Sequence, residues 1–178
     1  TTPTTSGGSC SSPSSCGVNE TCGQDAQCHP GDCTFWGCVS GYTCRDLFRQ
    51  QQLLDECEQA IATLAAAEGN RDRLVFVGAP IPIGPQLYNC AVAIWNGQIV
   101  GIVPKQNIPN YNEFEESRWF RAADGHEPAE IAYAGQAGVP FGIDLLFANG
   151  RGLVVFAEVC EDLWMPIPPS SSRLTNAG

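Results

Sequence analysis

The ten cysteines of the chain divide it into two pieces that cannot fold by the same means. Six stand at positions 10, 16, 22, 28, 33 and 38, in a segment rich in Ser, Thr, Gly and Pro. Its sizeable apolar side chains are Val18, Phe35, Trp36 and Val39, too few to bury a core. Such a segment is held by covalent staples or stays disordered. Six cysteines admit more pairings than a sequence can choose among. Zinc is the weaker reading, because no C-x-x-C occurs and His29 is the one histidine nearby. Residues 1–39 are therefore read as a Cys-rich leader, disordered or unrelated to residues 40–178, with sequence joined out of frame as a further source. The other four cysteines, Cys44, Cys57, Cys90 and Cys160, are scattered through apolar sequence. The first pattern belongs to an oxidising, extracellular setting and the second to a cytoplasmic enzyme. "NET" at 19–21 fits the N-glycosylation pattern, which matters only in the first setting.

Residues 40–178 have the length and apolar content for a real core. Across all 178 residues 43% are hydrophobic, which argues for a folded chain. A net charge of −10 speaks against nucleic acid, whose phosphates need a basic face. No apolar run approaches the roughly 20 residues of a membrane helix, and "TTPTTSGG" has no signal-peptide pattern. Thr43 and Asp46 suggest a capping box, and Leu47, Leu54, Cys57, Ile61 and Leu64 form one helical stripe. "EGN" at 68–70 is a stop signal. "LVFVGAP" at 74–80 reads as a buried strand. "QLYNCAVAIW", "NG" and "QIVGIVP" read as a hairpin closed by a type I′ turn. Further strands are predicted at 129–134, 141–148 and 152–159, the last two joined around "NGRG". The fold class is α/β.

Three residues carry candidate chemistry. Lys105 is the one lysine of the chain and stands at a strand end, where loops present functional groups. Cys160 ends an apolar run and is followed at once by Glu161 and Asp162. A thiol so flanked needs a cation from elsewhere to react as a thiolate. Glu113 lies eight residues past Lys105 in a run with Glu115 and Glu116, a pattern that by itself is an ordinary solvated face.

The stretches "GYTCRDLF", "YNCAVAIWNGQIVGIVPK", "NYNEFEESRWF", "VPFGIDLLF" and "VCEDLWMPIPPSS" occur in an order and spacing that resembles one family. It is the glutaminase domain of glutamine-dependent NAD synthetase, one of the nitrilase-like carbon–nitrogen hydrolases, and the resemblance covers roughly residues 39–178. It implies an αββα sandwich of the nitrilase type, here incomplete. It implies that Cys160 attacks the side-chain amide of glutamine, that Lys105 supplies the cation and holds the oxyanion, and that Glu113 orients the lysine. Tyr111, Glu161 and Trp164 match positions near the glutamine pocket.

The sequence also departs from the family. The general base there is a glutamate in an "FPEL" strand shortly before "GYTC". Here the stretch reads "CTFWGCVSGYTC", and ungapped counting from Gly41 puts Trp36 at that place, with Asp32 the closest upstream acid. Sequence matching the family's first strand and helix, its closing strands and its synthetase domain is not found, so ATP and deamido-NAD have no expected site here and no metal is expected. The chain alone is expected to be inactive or nearly so, working with a synthetase domain or further subunits in the cytoplasm. The alternative is a secreted, disulfide-rich binding module fused to a non-catalytic hydrolase remnant.

Overall fold

The computed structural model describes residues 8–11, 16, 20–30 and 48–176. The chain divides into two compact units, Thr1–Leu53 and Leu54–Gly178. The seam read at residues 39–40, the capping pair Thr43 and Asp46, and Trp36 lie outside the described residues.

In the first unit, β1 (Glu20–Cys22) and β2 (Cys28–Pro30) form an antiparallel hairpin in which Cys22 faces Cys28. For four of the leader's cysteines the pairing is Cys10–Cys22 and Cys16–Cys28. The amide of Cys10 donates to the Ala26 carbonyl at 2.9 Å and that of Cys28 to Gly8 at 2.8 Å, so the preceding segment lies along the hairpin. Here Cys10, Cys22 and Cys28 take the place of apolar side chains in a small buried cluster. The His29 Nε2–H donates to both carboxylate oxygens of Asp25 at 2.9 Å. That bond holds the Asp25 carboxyl below its ordinary range. Gly23 is required beside this pair, since a Cβ there would stand 2.8 Å from His29 Cδ2 and 2.9 Å from Asp25 Oδ1.

The second unit is mixed helix and sheet. Helix α1 (Gln51–Ala66) buries Leu54, Ile61 and Ala65. Of the expected stripe, Leu54 and Ile61 are buried, Cys57 is half-buried and Leu47 lies outside the described residues, whereas Leu64 is 40% exposed and Ala65 takes the inward position, as a 3.6-residue period starting from Leu54 and Ile61 requires. The helix ends where Asn70 Nδ2 caps the Leu64 carbonyl at 2.7 Å, just before a 3₁₀ turn at Glu68–Asn70, the expected stop.

Strands β3 (Leu74–Ile83), β4 (Gln86–Trp95) and β5 (Gln98–Pro104) form an antiparallel meander with β4 at its centre. Asn96 and Gly97, both at positive φ, close the β4–β5 hairpin as a type I′ turn demands. A second hairpin, β3–β4, turns on Gly84 and Pro85, with Gly84 at φ 55°. In β3 Phe76 is 36% exposed and only Ala79 and Ile81 are buried, so the expectation of a buried strand fails there; the other edge strand, β5, is buried along most of its length. The two faces of the sheet differ. Tyr88, Cys90, Val92 and Ile94 of β4 belong to one core with Ile61 and Ala65 of α1, Ile102 of β5, and Phe141. The opposite face carries Ala93 paired with Gly101, a shallow spot over which Phe147 lies. A Cβ on Gly101 would meet Phe147 and Leu145 at 3.0 Å.

The rest of the unit is built from short ribbons. β6 (Glu130–Tyr133) and β7 (Gln136–Pro140) turn on Ala134 and Gly135, again both at positive φ. Glu58 of α1 accepts the Ala134 amide at 2.7 Å, and Gln136 Oε1 accepts the amide of Ile99 at 2.7 Å, beside the bulge of β5. Phe141 then bridges to Ile102 in parallel. β8 (Phe147–Ala148) and β9 (Val154–Val155) pair across the "NGRG" loop, which Asn149 organises by accepting the amides of Arg151 and Leu153. The strands expected over 141–148 and 152–159 are thus two residues each, and β7 is a strand beyond those expected. Gly142 and Asp144 interrupt the first of these runs, and Asp144 instead pairs with Arg173 of α3 (Pro169–Asn176). Among the described residues no helix is long and apolar enough to cross a membrane.

Candidate active site

Lys105 follows β5 directly, and its side chain is fully buried. Both of its main-chain polar groups are fixed: the N–H donates to Asn89 of β4 at 2.8 Å, and the carbonyl accepts the Ala123 amide at 2.9 Å. The ammonium donates to Glu116 Oε2 at 2.6 Å. A buried ammonium is costly unless paired and hydrogen-bonded, and Glu116 provides both. Glu116 is itself placed by a 3₁₀ turn (Glu116–Arg118), where its carbonyl accepts the amides of Trp119 and Phe120 at 3.0 and 2.8 Å. Trp119 is 4% exposed and anchors that turn in the core.

The carboxylate at hydrogen-bond distance from the lysine ammonium is Glu116, eleven residues on, where the resemblance had pointed to Glu113. Glu113 lies exposed in the loop before the turn, where its charge acts on the Tyr111 phenol. The spacing of acids within "NEFEES" could not separate the two. The signal that could have done so is the pair Trp119–Phe120, whose amides fix a turn on Glu116.

Cys160 precedes the four-residue helix α2 (Glu161–Trp164) with φ 53° and ψ −100°. A side chain at positive φ carries strain of about 1–3 kcal/mol, kept only where surrounding contacts over-determine it. The sharp turn leaves the cysteine exposed at the surface. Directly behind it, Asp162 is 3% exposed. Its Oδ1 accepts the amide of Asn107 at 2.8 Å, the Asn107 side-chain amide at 2.9 Å and the Gln106 amide at 3.2 Å. Its Oδ2 accepts the Val159 amide at 3.3 Å. The residues next to Lys105 and the turn that carries Cys160 are thus bonded to one carboxylate.

Tyr111 and Glu161 also meet, the phenol donating to the two carboxylate oxygens at 3.0 and 2.9 Å. That hydrogen bond to Glu161, more than partial burial or the nearby charges, pushes the Tyr111 phenol up. Tyr111 stacks edge-on against Phe114 at 5.8 Å. Trp164 is 75% exposed. Arg173 of α3 reaches the same region, donating to Gln106 Oε1 at 3.3 Å and to the Pro169 carbonyl at 3.1 Å. Of the residues singled out from sequence, Tyr111 and Glu161 touch, and the Lys105 and Cys160 segments are joined through Asp162. A cavity of about 560 Å³ lies elsewhere, lined by Leu74, Trp95, Val100, Phe147 and Leu153. Its apolar lining offers no group for acyl or proton transfer.

No protein-family model matches the chain. Curated relatives do. The glutamine-dependent NAD(+) synthetase of Mycobacterium tuberculosis (strain ATCC 25618 / H37Rv) is 41% identical over 135 residues, which is 75% of this chain and 20% of that protein. That of Mycobacterium leprae (strain TN) is 36% identical over the same length and shares. Among solved structures, a glutamine-dependent NAD(+) synthetase from Cytophaga hutchinsonii matches with a TM-score of 0.53 and 31% identity, covering 62% of this chain and 18% of that one. The chain spans about a fifth of the length of the curated relatives it matches. Three quarters of it is homologous to one region of the glutamine-dependent NAD(+) synthetases.

Proposed function

We propose that this region binds glutamine and cleaves its side-chain amide through a covalent thioester on Cys160. The observation that carries the reading is the buried Lys105–Glu116 pair at 2.6 Å, on a loop bonded through Asp162 to the cysteine turn. The thiolate adds to the amide carbon, and the carbonyl oxygen becomes an oxyanion. Lys105 and the backbone N–H of Glu161 donate to that oxygen. The C–N bond then breaks as the nitrogen takes a proton from water, and ammonia leaves. Water hydrolyses the thioester, giving glutamate and the free thiol.

Glu116 holds the ammonium in place, the role expected of Glu113. Tyr111 and Glu161 face the amino end of the substrate, with Trp164 at the rim. The α1-backed sheet is one half of a nitrilase-type sandwich. The named relatives are glutamine-dependent, so a synthetase domain, with its ATP and deamido-NAD, is the consumer of the ammonia. The family's base position falls at Trp36, so turnover by the chain alone is slow. Positioned acid–base catalysis typically contributes about 10²–10⁴-fold.

Single-turnover mass spectrometry with glutamine tests the reading, because it detects one acylation per thiol and needs no repeated turnover. A glutamyl adduct on Cys160 is expected, absent in Cys160→Ser and reduced about 10²-fold or more in rate in Lys105→Met. Glu116→Gln is expected to slow the adduct by at least about tenfold, and Glu113→Gln by less than about threefold. An adduct that survives Cys160→Ser, or a Glu113 variant as slow as the Glu116 variant, would overturn these assignments.

A further inference from the structure

We infer that Asp162 is a positioning residue that sets the lysine loop against the cysteine turn. The inference rests on the thioester reading above and deepens it. Asp162 is a buried carboxylate whose hydrogen-bond donors are four neutral N–H groups rather than a cation. Burying such a charge is unfavourable unless its oxygens are satisfied, so the fold needs the donors in place together. Three of those donors come from Gln106 and Asn107, 55 to 56 residues earlier in the chain. The fourth is Val159, the residue before Cys160.

Each side of this junction constrains a reactive group. Gln106 and Asn107 follow Lys105, whose amide is already fixed by β4, so a grip on the next two residues leaves the lysine main chain little freedom. Val159 and Asp162 flank Cys160, and the Asp162 amide donates back to the Val159 carbonyl at 3.3 Å. The Leu163 amide donates to the Cys160 carbonyl at 3.1 Å. The positive φ of Cys160 is thereby held between bonds on both sides. A surface acid capping a short helix would need neither the burial nor the distant donors. The geometry is that of a latch between two catalytic segments.

Two electrophiles separate positioning from simple stability. Iodoacetamide needs only an exposed thiol, whereas a diazoketone analogue of glutamine needs the thiol, the lysine and the pocket in register. In the unmodified full chain the diazoketone should label Cys160 in preference to the scattered thiols, and Lys105→Met should remove that preference. Asp162→Ala is expected to slow diazoketone labelling on the order of 10–100-fold, while iodoacetamide labelling stays within about threefold. Asp162→Asn keeps the oxygen that takes the 106–107 donors and is expected to recover most of the rate. Should Asp162→Ala not fold, Asn107→Ala removes one donor and is expected to slow the diazoketone about three- to tenfold. Selective labelling in the unmodified chain with no loss in Asp162→Ala or Asn107→Ala would overturn the latch and leave the thioester reading standing. No selective labelling in the unmodified chain would overturn the reading beneath it.

Discussion

The hairpin of residues 20–30 and the sheet of residues 74–104 are both antiparallel ribbons, yet they are held in unlike ways. The first has two disulfides and a buried cluster of cysteines. The second has a core of fourteen buried residues contributed by a helix, five strands and their flanking loops. Burial of apolar surface scales with the number of residues that can share it, so a short polar segment must find its stability in the unfolded state instead. A cross-link acts there by limiting the open chain. The same polypeptide thus contains one region stabilised by what it buries and one stabilised by what it forbids.

Reduction is the strongest way to break this comparison. Each disulfide spans 12 residues and is worth roughly 2–4 kcal/mol. Dithiothreitol is expected to abolish hydrogen-exchange protection of the Cys10 and Cys28 amides while the β4 amides stay protected. Hairpin amides that remain protected after reduction would show that the staples are dispensable. A smaller effect sharpens the other side. Gly101→Ala places a methyl group 3.0 Å from Leu145 and Phe147, and overpacking of that kind costs about 1–3 kcal/mol. The expected result is a lower denaturation midpoint for the sheet and unchanged exchange in residues 8–30. An unchanged midpoint would mean that Phe147 shifts freely.

The smallest effect concerns Asp25, whose carboxyl is held below its usual value of 3.8 by the His29 hydrogen bond. A group depressed on folding stabilises above its unfolded value, and that contribution is lost as pH falls through the folded value. Protection of the hairpin should therefore weaken below about pH 4, and Asp25→Asn should remove that acid dependence. Identical acid profiles for the two chains would assign the loss to other carboxylates.

The sheet was legible because its signals are local. Alternating residues of β4 and the Asn96–Gly97 turn fix a hairpin without reference to anything distant. The second sheet hairpin, at Gly84–Pro85, and β7 were missed because their turns use Gly-Pro and Ala-Gly, weaker signatures of the same geometry. The short strands β8 and β9 depend on Phe147 finding the Ala93–Gly101 spot, a tertiary match that no periodicity displays. In the candidate site, Cys160 and Lys105 stood out by their position at the ends of apolar runs. Glu116 did not, since its choice over Glu113 is made by the turn on Trp119. Asp162 was hidden beside the cysteine, because its partners lie more than fifty residues away.

The burial of Lys105 has a consequence for the chemistry of the whole surface. It is the one lysine in the sequence, and its side chain is fully enclosed. In the folded state its amine lies out of reach of bulky amine-directed reagents and isopeptide-forming enzymes, although carboxylates are plentiful. The protein is therefore reticent toward amine-directed conjugation, and a lysine that becomes modifiable is a lysine whose ion pair has already come apart.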